Sequence, residues 1–399
     1  MPGVTKRIFE HDVRDIISMW NDEIKTLMPL LPQEYTKKDI INLLRKYYPY
    51  EWISVESKYT YYHTKDKYIM KFCGKARFKM LKPELLICKV PMYKKISSEY
   101  YLEYHKNNFS EDKCEESKTK LWNQRQPKIE HINKKIEKAL YKTQQVTPTF
   151  IDQLIGLYER KNTSQKDRVY ILLELKKYYC KKVIQFFFKL NDTELNKQLR
   201  FEAFYYLQEF NFNLRLRKQK YMLVHTNNKV RKNYLKNVYS NEKYIIKLNP
   251  NELEYRIENS KEQKIKSYDY FISHSSKDSK EIQELIRKEN NLKKNIFCDW
   301  INDIDYLKRH LLCNATLRVL EERMKQSKAL IFVQSENSLS SVWCKYELNF
   351  FFELHKPIFI IEKDSIINKD FELKAMNDYW FIDSDYKEST LIFASKIYN

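Results

Sequence analysis

The sequence predicts a mainly α-helical region that is followed by an α/β domain with a parallel sheet. Apolar residues recur at helical spacing through much of residues 1–246, which is the pattern of amphipathic helices. From residue 268 onward, short apolar strands alternate with helices instead. The inner strands show no polar alternation, so we expect helices to cover both faces of the sheet. The polar stretch 247–266 separates the two patterns and is predicted to be a linker.

The region before the predicted linker divides by composition into residues 1–125 and 126–246. Residues 9–31 and 37–47 have helical spacing, whereas the Tyr-rich stretch 50–95 is compatible with strands or with short helices. In the second part, successive amphipathic segments joined by polar turns predict an α-helical domain or a short solenoid. No fixed sequence period is visible that would decide for a solenoid.

The C-terminal elements follow one another in a regular order, and the domain is predicted to span residues 267–399. The strand patterns are YDYFIS, NIFCDW, ALIFVQS, PIFIIE and YWFID. The helical patterns are KDSKEIQELIRKEN, NATLRVLEERMKQS, VWCKYELNFFFELH and YKESTLIFASKIY. We expect Asn314 to cap the second of these helices, because asparagine is a favoured N-cap residue.

Ligands of parallel α/β sheets bind beyond the carboxyl ends of the strands. The strand ends of this domain carry a group of polar and aromatic residues, namely His274, Ser275, Asp299, Trp300 and Ser335. The helix that contains Trp343 and Glu347 is expected to begin on the same rim. The sequence therefore predicts a ligand site at this edge of the sheet.

Essentially all of the net charge of +20 lies in the first two thirds of the chain. Residues 266–399 hold 20 Lys and Arg against 21 Asp and Glu, so the basic excess lies in 1–265. No acidic residue occurs between Glu209 and Glu242, where basic side chains are interleaved with tyrosines. This composition suits phosphates and stacked bases, so nucleic-acid binding is one prediction and a solvated basic face is the alternative. The candidate residues are Arg215, Arg217, Lys218, Lys220, Lys229, Arg231, Lys232 and Lys236.

The composition argues against several classes of site. The chain has 3 glycines, so it has no glycine-rich phosphate loop. Its 7 cysteines form no CxxC pair and none is spaced with histidine as in zinc motifs, so we expect reduced thiols and no metal site. The first residues show no apolar core of a signal peptide, and the apolar runs are too short to span a bilayer. We therefore expect a cytoplasmic protein with no membrane partner.

The last third of the chain resembles a TIR (Toll/interleukin-1 receptor) domain of the bacterial type. The resemblance rests on YDYFISHSSKD, on FCDW and on LEERMKQSKALIFVQSENSLSSVWCKYEL, and it extends over residues 268–399. It implies an open, five-stranded, flavodoxin-like parallel sheet. The sequence departs from many TIR domains at 301–313, after the second strand, where the usual glycine and proline of a mobile loop are missing.

The resemblance also implies an activity and the residues that carry it. In TIR domains that cleave NAD+, the glutamate of a WxxxE helix is essential, and it corresponds to Glu347, with Trp343 as the preceding aromatic residue. Pocket residues after the first strand correspond to His274 and Ser275, and the end of the second strand corresponds to Asp299 and Trp300. The resemblance thus implies NAD+ as a substrate, no cofactor, and self-association through TIR domains.

One carboxylate is enough for this chemistry. Ordinary glycosidases use a second carboxyl group to protonate the leaving group. Nicotinamide is attached as a pyridinium cation and departs neutral, so only the positive charge that develops on the ribose needs stabilisation. Water that captures the ribose carbon gives ADP-ribose, whereas capture by an adenine nitrogen or a ribose hydroxyl gives a cyclic product.

These observations favour an NAD+ nucleosidase that acts as a regulated effector in antiphage defence. The basic region 1–265 is then expected to receive a nucleic-acid or protein trigger. The alternative is a catalytically silent TIR scaffold or adaptor in a signalling or nucleic-acid-sensing complex. For Glu347 the alternative is an ordinary acid that the helix dipole favours near a helix start.

Overall fold

The computed structural model describes residues 4–212, 214–215, 224, 226–308 and 313–376. The chain forms two compact units. Unit one comprises the residues up to Leu140 together with Leu172–Lys243. Unit two comprises Tyr141–Ile171 together with the chain from Tyr244 onward.

The helices of the described residues are numbered in chain order. They are α1 (Val4–Leu27), α2 (Lys37–Tyr47), α3 (Pro49–Cys73), α4 (Pro83–Leu86), α5 (Pro91–Ile96), α6 (Glu99–Asn108), α7 (Glu111–Gln144), α8 (Pro148–Glu159), α9 (Gln165–Leu175), α10 (Lys181–Thr193), α11 (Lys197–Glu209), α12 (Lys229–Asn233), α13 (Pro250–Asn259), α14 (Lys261–Lys264), α15 (Ser279–Asn291), α16 (Asp299–Asn302), α17 (Asn314–Lys325), α18 (Glu336–Leu339), α19 (Val342–Glu353) and α20 (Lys363–Ile367). A π-helical turn, Tyr234–Tyr239, follows α12. Within the described part of the chain, no helix is both long and apolar enough to cross a membrane.

Unit one is built from helices that bury an apolar stripe. The two helices predicted first in the chain are confirmed by α1 and α2. The undecided Tyr-rich stretch begins with helix α3, which starts at Pro49 and ends before Gly74. Proline suits a first helical turn, and Gly74 has the left-handed φ of 67° that commonly ends a helix. The rings of Trp20 in α1 and Trp52 in α3 stack with centroids 5.4 Å apart, which joins the two helices in the core.

Helices also run through two places where the sequence predicts a change. Helix α7 continues through the predicted boundary at residue 125, and α13 and α14 lie within the predicted linker. Arg256 of α13 is fully buried, and it donates hydrogen bonds to Glu262 at 2.7 Å and to Asp167 at 3.1 Å. The polar sequence here therefore contributes to a buried ionic cluster. The four-part division of the chain stays a prediction.

Unit two contains a five-stranded sheet with the strand order β2-β1-β3-β4-β5. The strands are β1 (Tyr268–Ser273), β2 (Ile296–Phe297), β3 (Ser327–Gln334), β4 (Ile358–Glu362) and β5 (Lys374–Ala375). This order is that of flavodoxin-like folds, so the expected fold class is confirmed. Strands β1 to β4 are parallel, and Phe271 pairs with Phe297 on one side and with Leu330 on the other.

The fifth strand differs from the expected one. Strand β5 runs antiparallel to β4, whereas the sequence predicts an all-parallel sheet. The connection between β4 and β5 is too short for a parallel crossover, which needs a dozen or more residues. The predicted strand YWFID and the predicted closing helix lie outside the described residues.

The sheet is buried on both faces, as its apolar strands predict. Phe271 packs in a cluster with Leu320 of α17, whereas the next residue, Ile272, packs in a second cluster with Leu285 of α15. Successive side chains of a strand point to opposite faces, so the two clusters lie on opposite sides of the sheet. This packing fixes the carboxyl ends of the strands, where the candidate site lies.

Helix α17 is capped by Cys313 and not by Asn314, contrary to the expectation from sequence. Cys313 has an extended backbone, and its N–H donates to the Thr316 hydroxyl at 3.2 Å. Asn314 is already the first helical residue. The preference of asparagine for the N-cap position is therefore overridden by the threonine three residues after Cys313.

Candidate active site

A cavity of about 670 Å³ lies in unit two at the carboxyl ends of β1 and β2. Its walls come from the residues that follow these two strands, from the loop after β2, and from parts of α17 and α19. Six of the seven predicted ligand-site residues line it, namely His274, Ser275, Asp299, Trp300, Trp343 and Glu347. The sequence therefore predicted most of the polar and aromatic lining, and the seventh residue, Ser335, lies elsewhere.

Ser335 belongs to a separate hydrogen-bonded cluster at the end of β3. Its hydroxyl donates to Asp278 at 2.6 Å, and Asn337 and Lys363 each donate to the same carboxylate at 2.9 Å. Asp278 is fully buried. The carboxylate thus occupies the region between β1 and β3, where flavodoxin-like folds usually bind ligands, and the cavity lies on the β2 side instead.

Helix α19 places Glu347 in the cavity wall. The helix begins after Ser341, whose hydroxyl accepts the N–H of Cys344 at 3.4 Å. Trp343 and Glu347 are four residues apart, so they lie on the same helix face. Glu347 is only 8% exposed, and burial raises its pKa to about 8. The Ser273 hydroxyl opposes this rise in pKa, and the Asp299 carboxylate adds to it.

An ordinary acid at a helix start would have a different environment. Acids that stabilise a helix through its dipole gain their energy as exposed, ionised groups near the N-terminus. Burial instead disfavours the ionised form of Glu347 and raises its pKa. A perturbed carboxyl group in a cavity is typical of functional sites, so the arrangement favours a functional role for Glu347.

His274 is held on both sides of its ring at the end of β1. Nδ1 lies 3.1 Å from the carbonyl oxygen of Ile272, and the indole N–H of Trp300 donates to Nε2 at 2.6 Å. Because an indole nitrogen can only donate, Nε2 carries the lone pair and Nδ1 carries the proton. The two contacts therefore fix the ring orientation and the tautomer of His274.

The residues after β2 occupy a helical turn and not the end of a strand. Asp299 and Trp300 are the first residues of α16, and Cys298 precedes them with an extended backbone as the N-cap residue. This turn directs both residues into the cavity wall. The strand predicted from NIFCDW is therefore shorter than expected, with Ile296 and Phe297 as its only residues.

Two cysteines near the site are poor nucleophiles. Burial raises the pKa of Cys344 to about 12 and raises that of Cys298 well above its usual value. The thiolate is the reactive form of cysteine, so both groups stay protonated in the substrate-free protein.

Several further residues line the cavity that the sequence did not single out, namely Ser276, Ile304, Leu307, Lys308, Thr316, Leu320 and Ser341. Ile304, Leu307 and Lys308 come from the loop after β2 that lacks glycine and proline. Because this loop follows the end of a strand, its place in the sequence could have identified these residues as candidates for the cavity wall. Leu320 is a buried residue of α17. Periodicity alone does not separate a core side chain from one that also faces a ligand site.

The predicted nucleic-acid residues belong to unit one. Of these residues, Arg217, Lys218 and Lys220 lie outside the described part of the chain. Arg215 donates two hydrogen bonds to Asp15, at 2.5 and 3.1 Å. The remaining four are exposed on α12 and the π-helical turn, namely Lys229, Arg231, Lys232 and Lys236. Nucleic-acid binding stays a prediction.

Comparisons with known proteins identify relatives of this chain. Residues 271–366 match the family model described as Thoeris protein ThsB, TIR-like domain. The chain is 36% identical over 361 residues to a "putative cyclic ADP-D-ribose synthase TIR2" of Cytobacillus dafuensis, which covers 90% of this chain and 92% of that protein. It is 37% identical over 98 residues to a "probable 3′ cyclic ADP-D-ribose synthase ThsB′" of Bacillus cereus (strain MSX-D12), which covers 25% of this chain and 50% of that protein. No solved structure matches the chain. The chain belongs to the family of bacterial TIR-domain proteins that includes TIR2 of Cytobacillus dafuensis.

Proposed function

We propose that this protein cleaves the nicotinamide–ribose bond of NAD+ and releases a cyclic ADP-ribose. The observation that carries the proposal is Glu347, a buried carboxyl group with a raised pKa in the wall of a large cavity. The names of both relatives support the product class, because each is called a cyclic ADP-D-ribose synthase.

The raised pKa of Glu347 fits a substrate that carries positive charge. Without substrate, burial favours the neutral carboxyl group. The pyridinium of NAD+ favours the ionised form, since an opposite charge close to a carboxyl group lowers its pKa. The carboxylate then stabilises the cation that develops on the ribose as nicotinamide departs. Substrate binding would therefore generate the charge that the reaction needs.

Other cavity residues would orient the substrate. Trp343 offers a half-buried aromatic face for nicotinamide or ribose. Asp299 adds a second negative charge that favours a cationic ligand. The hydrogen bond between Trp300 and His274 gives this part of the wall one fixed arrangement.

The choice of product depends on what reaches the ribose carbon first. Ile304, Leu307 and Leu320 make part of the wall apolar, which limits the access of water. A nucleophile within the same ADP-ribose chain then captures the carbon and closes a ring. If that nucleophile is a ribose hydroxyl, its proton is released to solvent. Hydrolysis to ADP-ribose is the competing outcome.

We place this activity in antiphage defence, as a regulated effector that self-associates through its TIR domain. The basic unit one would receive the trigger, either a nucleic acid or a protein. A TIR enzyme without such control would consume the NAD+ of its own cell, which is a physical reason for a large regulatory unit beside the TIR domain.

The test is nicotinamide release from NAD+ by the full-length protein, with the products separated by chromatography. Glu347→Gln should lower the rate about 1000-fold, because it removes the charge that stabilises the transition state. Glu353→Gln is a matched control, since Glu353 is an exposed acid at the end of the same helix. It should cleave NAD+ at the wild-type rate.

Two outcomes would count against the proposal. Retained cleavage by Glu347→Gln would remove Glu347 from the chemistry. Self-association of the wild-type protein without nicotinamide release, during phage infection as well as in vitro, would favour the scaffold alternative.

A further inference from the structure

Three side chains of metal-binding type converge at the edge of the cavity. Nε2 of His274, Sγ of Cys298 and a carboxylate oxygen of Asp299 all lie within 4.8 Å of one another. The distance between His274 Nε2 and Cys298 Sγ is 3.8 Å. A tetrahedral zinc ion with ordinary bond lengths holds its nitrogen and sulfur ligands about 3.5 Å apart. Two of the three ligand atoms therefore already stand at nearly the separation that zinc requires.

The orientation of His274 suits a metal ligand. A metal-binding histidine usually donates its other ring N–H to a carbonyl or carboxylate oxygen, which fixes the tautomer. Nδ1 of His274 lies 3.1 Å from the carbonyl oxygen of Ile272, so the lone pair is on Nε2, on the side of Cys298. That lone pair accepts the indole N–H of Trp300, so a metal ion must displace this hydrogen bond to bind.

The backbone holds these residues in place. His274 directly follows β1 and Cys298 directly follows β2, and the two strands are paired neighbours in the sheet. Asp299 begins the helical turn α16 after Cys298. Metal binding displaces the proton of the Cys298 thiol to solvent. The resulting thiolate, the imidazole and the carboxylate form a ligand set that zinc favours and that magnesium and calcium do not.

We propose that His274, Cys298 and Asp299 bind Zn²⁺ and that the bound ion inhibits NAD+ cleavage. Three protein ligands leave a fourth position to water. The ion would withdraw His274 and Asp299 from the cavity wall and release Trp300 from its hydrogen bond. Zinc and NAD+ would therefore compete, and zinc would raise the apparent KM. The inhibition rests on the proposed function, whereas the metal binding does not.

The experiment measures binding and inhibition separately on the full-length protein. Co²⁺ is titrated as a spectroscopic substitute for zinc, because a cobalt–thiolate bond has its own charge-transfer absorption. Nicotinamide release is measured in parallel at increasing Zn²⁺. Cys298→Ser should abolish the charge-transfer band and raise the half-inhibitory Zn²⁺ concentration about tenfold or more. Cys298 does not line the cavity, so this variant should keep the metal-free activity.

The controls separate this site from other thiols and other ions. Cys73→Ser changes an exposed cysteine of unit one and should leave both the band and the inhibition unchanged. Magnesium and calcium should not inhibit. If Cys298→Ser does not fold, Asp299→Asn keeps the buried thiol and should weaken cobalt binding in the absorption titration.

The proposal is overturned if wild-type protein shows no cobalt–thiolate band. It is also overturned if a folded Cys298→Ser variant is inhibited as strongly as the wild type, or if Cys73→Ser removes the inhibition. A cobalt band that depends on Cys298 in a protein without NAD+ cleavage would retain the metal site and reject the proposed function.

Discussion

The indole N–H of Trp300 lies 2.6 Å from Nε2 of His274 and joins the residues that follow two neighbouring strands. His274 follows β1 and Trp300 lies in the helical turn after β2, so the bond fixes one edge of the cavity. The same nitrogen also lies close to the Cys298 thiol. Substrate orientation and metal binding would thus both depend on the lone pair of His274 Nε2.

We expect Trp300→Phe to weaken NAD+ binding more than the chemical step. The variant keeps an aromatic ring but removes the indole N–H that donates to His274. The cavity wall then has one hydrogen bond fewer, and we expect KM to rise about fivefold. Steady-state kinetics with separate kcat and KM values provide the measurement. Tyr306→Phe is the control, because Tyr306 lies in the following loop and does not line the cavity. A loss confined to kcat would contradict the orienting role of Trp300.

The pH dependence of cleavage should report the ionisation of Glu347. Its pKa is raised to about 8 in the substrate-free protein, and the reaction needs the carboxylate. We therefore expect kcat/KM to increase with pH and to level off above this pKa, because kcat/KM reports the free enzyme. The profile of kcat should bend at lower pH, since bound NAD+ favours the ionised form. A kcat/KM that falls from neutral to alkaline pH would contradict this assignment.

Asp299→Asn should move the inflection of that profile to lower pH. The Asp299 carboxylate raises the pKa of Glu347, so its neutral substitute makes Glu347 easier to ionise. Measurement of kcat/KM across the same pH range tests the direction of the shift. Asp305→Asn is the matched control, because Asp305 does not line the cavity and does not contribute to the pKa of Glu347. An unchanged inflection in Asp299→Asn would show that the two carboxyl groups are not coupled.

Asp278→Asn should destabilise unit two without changing the chemistry of folded molecules. Burial raises the pKa of Asp278, but the hydrogen bonds from Ser335, Lys363 and Asn337 outweigh it and lower the pKa below its usual value. Its stabilising contribution is therefore present above the unfolded-state pKa and is lost as pH falls through the folded-state pKa. At neutral pH we expect a loss of about 3 kcal/mol in the free energy of unfolding.

Denaturant unfolding of Asp278→Asn at neutral and at acidic pH provides the measurement. The difference from the wild type should shrink at acidic pH, where both proteins have lost the charge. Asn337→Ala removes only one of the three hydrogen bonds to Asp278, so its loss should be about 1 kcal/mol. A difference that grows with acidity would contradict the role of the Asp278 charge.

Much of the fold followed from local patterns. Apolar strands without alternation indicated a sheet covered on both faces, and buried side-chain clusters pack on both faces of the observed sheet. The antiparallel β5 was not predictable, because it has two exposed residues and no strand pattern of its own. The cap of α17 was not predictable, because cysteine is a rare N-cap residue and the preference of asparagine favoured Asn314.

The candidate site was predictable where residues follow strands or share a helix face. His274 and Asp299 follow β1 and β2, and Trp343 and Glu347 are one helical turn apart. Ser335 met the same criterion, yet its hydroxyl bonds to the buried Asp278. A rule based on strand ends does not tell which hydroxyl faces a cavity and which satisfies a buried carboxylate. The cluster of His274, Cys298 and Asp299 was not predictable either, because the three residues come from two strand ends and match no sequence motif.

The exposed basic residues of unit one should bind single-stranded nucleic acid if this part of the chain receives a nucleic-acid trigger. Lys229, Arg231 and Lys232 are exposed on α12, which directly precedes the π-helical turn. Replacing all three by alanine should weaken binding and reduce the slope of log K against log salt by about 2, since each contact with a single strand contributes about 0.7. Fluorescence anisotropy at several salt concentrations measures both values.

The matched control replaces Lys277, Lys280 and Lys345 of unit two by alanine and should keep the wild-type slope. Binding that does not depend on salt, or an equal slope in both triple variants, would favour a protein trigger and a solvated basic face.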